Sequence, residues 1–165
     1  MISLKQASIA DLNTIQEIAN ITWPITYGEI LSKEQLNYMM DLIYSDESLI
    51  KQIQNQEQLF YIVNEETSVI AFIAIKHNYK EEAVTRIHKI YILPGAQGKG
   101  IGKLLIDAVQ KLATENNSTL LSLNVNRFNK ALAFYQKLGF EIIAEENIEI
   151  GNGYLMEDYK MEKKL

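Results

Sequence analysis

Tyr91-Ile92-Leu93-Pro94-Gly95-Ala96-Gln97-Gly98-Lys99-Gly100-Ile101-Gly102 is the stretch on which the reading of this sequence turns. Its first residues read as the end of a strand and Ile101 as the start of a helix, with Gly95, Gly98, Gly100 and Gly102 at the junction. The first N–H groups of a helix have no partner within it and sit at the positive end of its dipole, so such a junction presents amides to an anion. Glycine permits the positive φ angles of a backbone nest and puts no Cβ in the path of a phosphate.

Working outward, Ile101, Leu104, Leu105, Ala108, Val109 and Leu112 recur at the spacing of an amphipathic helix. On the other side, residues 58–63, 69–77 and 83–93 are rich in Ile, Val, Phe and Tyr, and polar turns at 64–67 and 78–81 divide them, which predicts three strands. Residues 2–6 read as a short strand. Ser8-Ile9-Ala10-Asp11 resembles a capping box opening a helix with Leu12, Ile15, Ile18 and Ala19 on one face, ending near Trp23-Pro24. A second box, Ser32-Lys33-Glu34-Gln35, precedes Leu36, Met39, Met40 and Ile43, and Asp46 is the expected cap of a short helix carrying Leu49, Ile50 and Ile53. Past the glycines, residues 120–125 form a strand, Asn129 caps a helix ending at Gly139, and a last pair of strands turns at Gly151-Asn152-Gly153. The order β–α–α–α–β–β–β–α–β–α–β–β predicts an α/β (α+β) fold, a mixed and mostly antiparallel sheet of about seven strands flanked by helices. No linker, repeat or low-complexity tract interrupts it, so residues 1–165 are read as one domain.

Composition narrows the class. Hydrophobic residues make up 47% and charged residues 22%, an ordinary globular balance. No charged leader followed by an apolar run opens the chain and no apolar stretch is long enough to span a bilayer, which points to a cytoplasmic protein with no membrane partner. The absence of cysteine removes disulfides, thiolate zinc sites and a cysteine nucleophile, and two histidines make a histidine-rich metal site an unpromising reading, so no metal is expected. A net charge of −5 disfavours nonspecific nucleic-acid binding and suits a cationic substrate, while leaving room for a local basic patch.

Two phosphate motifs compete for the glycine segment, and spacing decides against both. A Walker A loop needs four residues between its glycines and Ser or Thr after Gly-Lys; Gly98 and Gly102-Lys103 have three between them and Leu104 follows. A dinucleotide fold expects Gly-x-Gly-x-x-Gly after its first strand, whereas Gly98-x-Gly100-x-Gly102 lies past the middle of the chain.

Gln97-x-x-Gly100-x-Gly102 after Tyr91-Ile92-Leu93-Pro94 resembles the acetyl-CoA signature of the GNAT N-acetyltransferase superfamily. Asn129-Lys130-Ala131-Leu132-Ala133-Phe134-Tyr135-Gln136-Lys137-Leu138-Gly139-Phe140 is similar to a second signature of that family, and 151–161 is similar to the closing strand of bacterial members, some of which acetylate polyamines. The resemblance implies a GNAT-like acyl-CoA N-acyltransferase fold with acetyl-CoA as co-substrate. It assigns backbone contacts for the pantetheine to Ile90, Tyr91 and Ile92, the pyrophosphate cradle to Gln97, Gly98, Lys99, Gly100, Ile101 and Gly102, and a further cofactor contact to Asn129. It makes Tyr135 the general acid toward the departing thiolate, a role open to a phenol protonated at neutral pH.

The acceptor must present a neutral amine, yet only about one alkylamine in a thousand is deprotonated at pH 7, so a base or water relay is implied. Family members often carry a Glu on the strand before the loop; here Arg86-Ile87-His88-Lys89-Ile90 has no carboxylate, and His88 is the candidate base or relay. Trp23, Tyr27 and Asp158 are acceptor-pocket candidates on topology. For Tyr135, Trp23 and Tyr27 the plain alternative is a packed aromatic, and for His88 a solvated strand residue. The expected reaction is direct attack of a small-molecule amine, polyamine or amino-acid-like, within a ternary complex. A protein N-terminal or lysine acetyltransferase and a noncatalytic acyl-CoA-binding module are the rivals, and dimers are frequent in the family.

Overall fold

The computed structural model describes residues 1–165. In chain order the elements are β1 (Ile2–Gln6), α1 (Leu12–Tyr27), α2 (Lys33–Tyr44), α3 (Asp46–Gln54), β2 (Leu59–Glu65), β3 (Ser68–Lys76), β4 (Val84–Ile92), α4 (Ile101–Glu115), β5 (Leu120–Asn126), α5 (Ala131–Lys137), β6 (Glu141–Gly151) and β7 (Tyr154–Lys164). The seven strands run β1-β2-β3-β4-β5-β7-β6 across one mixed sheet. This is the expected order and class, with strand ends displaced by one or two residues. The chain divides into two compact units, Met1–Lys76 with His88–Gly102, and His77–Ile87 with Lys103–Leu165.

In the first unit, β1 and β3 each pair antiparallel with β2. Ile70 to Ile75 are buried without a break, the signature of a strand covered on both faces. Ser8 accepts from Ala10 N and Asp11 accepts from Ser8 N, so the expected capping box forms, around a single 3-10 turn that leads into α1.

Two expectations need correction here. α1 does not end near Trp23-Pro24 but continues to Tyr27 with Pro24 inside it. Proline removes one i→i−4 bond, and here the carbonyl left over belongs to Asn20 on the exposed face, where water can serve it. The opposite face carries Trp23 and Tyr27 into the core, 4% and 8% exposed, and that burial outweighs the lost bond. The cap of α3 is Ser45, whose Oγ accepts from Ser48 N at 3.2 Å; Asp46 follows in the first turn, where its charge meets the helix dipole.

In the second unit, Val84–Ile87 of β4 pair in parallel with Leu120–Leu123, and β7 lies antiparallel between β5 and β6. Asn152 and Gly153 hold φ values of 55° and 78°, the two positive angles of a type I′ hairpin. The buried stripe of α4 is Ile101, Leu105, Ile106, Val109 and Ala113; Leu104, expected on that stripe, is 49% exposed. A turn of the helix by one position relative to the core exchanges Leu104 for Ile106, which periodicity cannot distinguish when both are apolar.

Candidate active site

The glycine segment leaves β4 through Leu93, whose N–H donates to Ile70 O at 2.8 Å. Ala96 N and Gln97 N donate to Leu93 O and Pro94 O, and Gln97 Nε2 donates to Ile92 O at 3.1 Å, so the loop is tied back to the strand end by its own residues. Gly98 and Gly100 then adopt φ of +79° and +73°, and a Cβ built on either would meet nothing within 4 Å. The requirement for glycine at these two positions is therefore conformational, not crowding by the protein. The loop is exposed and ends at the N-terminus of α4, so an anion can approach a nest of amides from solvent. These residues fit a pyrophosphate. Lys99 is exposed beside them, while Lys103 is engaged by Asp107 at 2.8 Å.

Upstream of the loop, the parallel ladder of β4 with β5 ends at the pair Ile87↔Leu123, and β4 runs on through His88, Lys89, Ile90, Tyr91 and Ile92. Tyr91 packs 5.9 Å from Trp23 and 5.7 Å from Phe72, with its hydroxyl 3.3 Å from that of Tyr27. Trp23 Nε1 donates to Tyr44 Oη at 3.0 Å, and burial holds the Tyr44 hydroxyl well above its ordinary pKa. Trp23, Tyr44, His88 and Tyr91 line a cavity of about 280 Å³ that also takes in Gln52, Gln58 and Lys89. Trp23 and Tyr27 thus do pack, as the plain alternative holds, and Trp23 also forms a cavity wall.

Lys89, absent from the candidates above, also belongs to this site. It is 8% exposed and its Nζ donates to Gln52 Oε1 at 2.9 Å and to Gln58 Oε1 at 2.6 Å. Burial pushes its pKa down to about 7. The signal was present in the sequence: Lys89 shares strand parity with Thr85 and Ile87, which are buried, so it stands on the inward face of β4.

In the second unit the N-cap of α5 is Lys130, whose side chain makes no capping bond, and not Asn129 as expected; Asn129 stands one residue earlier, where its Oδ1 accepts from Ala131 N at 2.9 Å and still serves a free amide of the first turn. Tyr135, 8% exposed, packs against Phe134 and Phe140 with ring centroids 5.4 and 5.8 Å away. Asp158 is buried on β7; Asn124 Nδ2 donates to its Oδ2 at 3.2 Å, and burial raises its pKa against the pull of Arg86 and Arg127. Its Oδ1 is buried with no hydrogen-bond partner, as are Arg86 Nε and Asn124 Oδ1. Ser122, Asn124 and Asn126 alternate along β5 with Leu121, Leu123 and Val125, so one face of this strand is polar by a period of two that the sequence reading did not use. No group of three or more His, Cys, Asp or Glu side chains is placed to hold a metal ion, and no helix is long and apolar enough to cross a membrane.

A mixed seven-stranded sheet with a glycine nest between β4 and α4 is the architecture of an acyl-CoA N-acyltransferase. Residues 29–163 match the family model of the acetyltransferase (GNAT) domain, and the chain belongs to that family. It is an acetyl-CoA-dependent N-acetyltransferase. The spermidine N(1)-acetyltransferase of Thermoplasma acidophilum is 30% identical over 161 residues, 94% of this chain and 96% of its own. The crystal structure of the PaiA N-acetyltransferase from Thermoplasma acidophilum in complex with coenzyme A has a TM-score of 0.82 to this chain at 28% identity, covering 100% of this chain and 99% of that one. The peptidyl-lysine N-acetyltransferase YjaB of Escherichia coli is 26% identical over 110 residues, 66% of this chain and 67% of its own.

Proposed function

We propose that the acceptor is the primary amine of a small molecule, a polyamine or an amino-acid-like compound, and that residues 1–165 act as one catalytic domain. The observation that carries this reading is likeness to a spermidine N(1)-acetyltransferase along 94% of the chain. The orphaned Oδ1 of Asp158 supports it, because a buried carboxylate oxygen without a partner is costly and an ammonium of the acceptor would satisfy it. The likeness to a peptidyl-lysine acetyltransferase favours, as second reading, a lysine side chain or N-terminus of a protein as acceptor.

In the proposed mechanism the backbone of Ile90, Tyr91 and Ile92 and the nest of Gln97, Gly98, Lys99, Gly100, Ile101 and Gly102 hold the co-substrate, with Asn129 as a further contact. When bound, acetyl-CoA supplies the activated thioester. His88, half-buried at the cavity, relays the proton that the attacking ammonium must lose, through water. The amine attacks directly in a ternary complex, and Tyr135 gives its phenolic proton to the leaving thiolate. Trp23 and Tyr27 wall the acceptor. Thiol release measured over a panel of polyamines, amino acids, aminoglycosides and peptides tests the reading. Turnover of polyamines or amino acids at low concentration is expected; turnover confined to peptides establishes the second reading instead.

A further inference from the structure

The Lys89 ammonium has neutral partners only. Besides the two glutamine oxygens it meets the Phe60 ring at 5.1 Å, and Glu57 reaches it only as a more distant charge. An ammonium has three N–H donors, and the two amide oxygens occupy two of them. The glutamines are themselves anchored: Gln52 Nε2 donates to Ile43 O at 2.9 Å and to Ser48 Oγ at 3.0 Å, which turns its oxygen toward Lys89. The arrangement fixes a buried amine in place with no carboxylate bonded to it, at the edge of a cavity of about 280 Å³. A buried amine with no adjacent counter-charge sheds its proton, and an anion entering the open volume beside it would favour the ammonium again and pair with it.

We propose that this cavity binds a small ligand through a carboxylate that pairs with Lys89. The anion takes the third N–H and supplies the missing charge in a charge-assisted hydrogen bond. Trp23 and Tyr91 offer the apolar wall for an aliphatic chain, and the volume suits a ligand at the small end of the range for such sites. A diamine meets like charge there. The carboxylate belongs either to the amine acceptor or to a separate ligand; the inference needs neither source in advance and does not rest on the acceptor proposed above.

Trp23 is the only tryptophan in the chain and lines this cavity, so its fluorescence reports occupancy. Three compounds with the same five-carbon backbone serve as probes on the full chain: glutarate, 5-aminopentanoate and 1,5-diaminopentane. Glutarate and 5-aminopentanoate are expected to change the emission saturably, at concentrations at least tenfold lower than any response to the diamine. Lys89→Met is expected to weaken glutarate binding at least tenfold. If that variant does not fold, as read by circular dichroism, the comparison of glutarate with the diamine on the unaltered protein stands in its place. No saturable response to glutarate, or equal affinity for glutarate in a folded Lys89→Met, overturns the proposal. Glutarate that competes with the acceptor in the thiol-release assay assigns the carboxylate to the acceptor; glutarate that binds without competing assigns it to a separate ligand, and both uphold the site. Failure of every small amine in that assay defeats the acceptor reading and leaves the glutarate titration to be judged alone.

Discussion

Trp23 donates its indole N–H to the hydroxyl of Tyr44 across 3.0 Å, joining the last turns of α1 to the end of α2. Both residues are buried, and their rings meet edge to face at 5.7 Å. The bond sets one wall of the cavity that ends on Lys89, so the aromatic cluster that holds α1 and α2 together also shapes the volume beside β4.

Tyr44→Phe keeps the ring packing and removes the acceptor of a buried indole N–H. The expected loss is about 1–3 kcal/mol, the usual cost of leaving such a donor unsatisfied. Urea denaturation measures it, and a change below a few tenths would show that the Trp23 N–H finds another partner at no cost.

Lys89 gives stability a dependence on pH with a definite sign. Its folded pKa, lowered to about 7, lies below the ordinary lysine value of 10.5, so between these values the unfolded chain binds the proton and the folded chain releases it. Stability from this group therefore rises with pH from about 7 to about 10, by at most ~5 kcal/mol, and is at its lowest below pH 7. Lys89→Met removes the titration. The difference in unfolding free energy between the two proteins is expected to shift in favour of the unaltered one as pH increases over that window; a difference that stays flat refutes the assignment.

Gly100→Val places a β-branched residue at a φ of +73° in a loop where the added atoms meet no protein neighbour within 4 Å of the Cβ. The strain amounts to roughly 1–2 kcal/mol or more and acts on the loop alone. The expected result is a small fall in melting temperature and a rise of about tenfold or more in the KM for acetyl-CoA, since each 1.4 kcal/mol of lost binding is tenfold. Calorimetric titration with coenzyme A checks the same loss without turnover.

Tyr135→Phe preserves the ring between Phe134 and Phe140, so folding is expected to survive. Loss of the general acid is expected to lower kcat by about 10²- to 10⁴-fold with coenzyme A affinity retained. Unchanged turnover would remove Tyr135 from the chemistry and leave it a packing residue.

Much of the fold was legible because its signals are local. Ser8 and Asp11 cap each other within four residues, the type I′ turn needs only Asn152-Gly153, and the glycines at 98 and 100 mark positive φ directly in the sequence. The family signatures were legible for the same reason, since each lies within one loop or one helix. Local signals also misled. Pro24 reads as a helix end, and α1 passes through it because Trp23 and Tyr27 are held by Tyr44 and Tyr91, residues far along the chain. Asp46 reads as a cap, and Ser45 takes the position because its side chain reaches the Ser48 amide.

The order of elements and the glycine nest could be read from residue types at short, fixed spacing, which also excluded two nucleotide motifs, while acetyl-CoA followed from the resemblance of two segments to the family's signatures. Strand parity puts Lys89 on the inward face of β4, but it took the folded chain to bring two glutamines, from α3 and the segment before β2, onto it without a counter-charge and to leave Asp158 an unsatisfied oxygen. The physical reason is that desolvation and hydrogen-bond satisfaction depend on what surrounds a side chain in space. Gln52 and Gln58 lie more than thirty residues from Lys89 in sequence, at separations of 37 and 31, and spacing along a chain carries no record of that meeting.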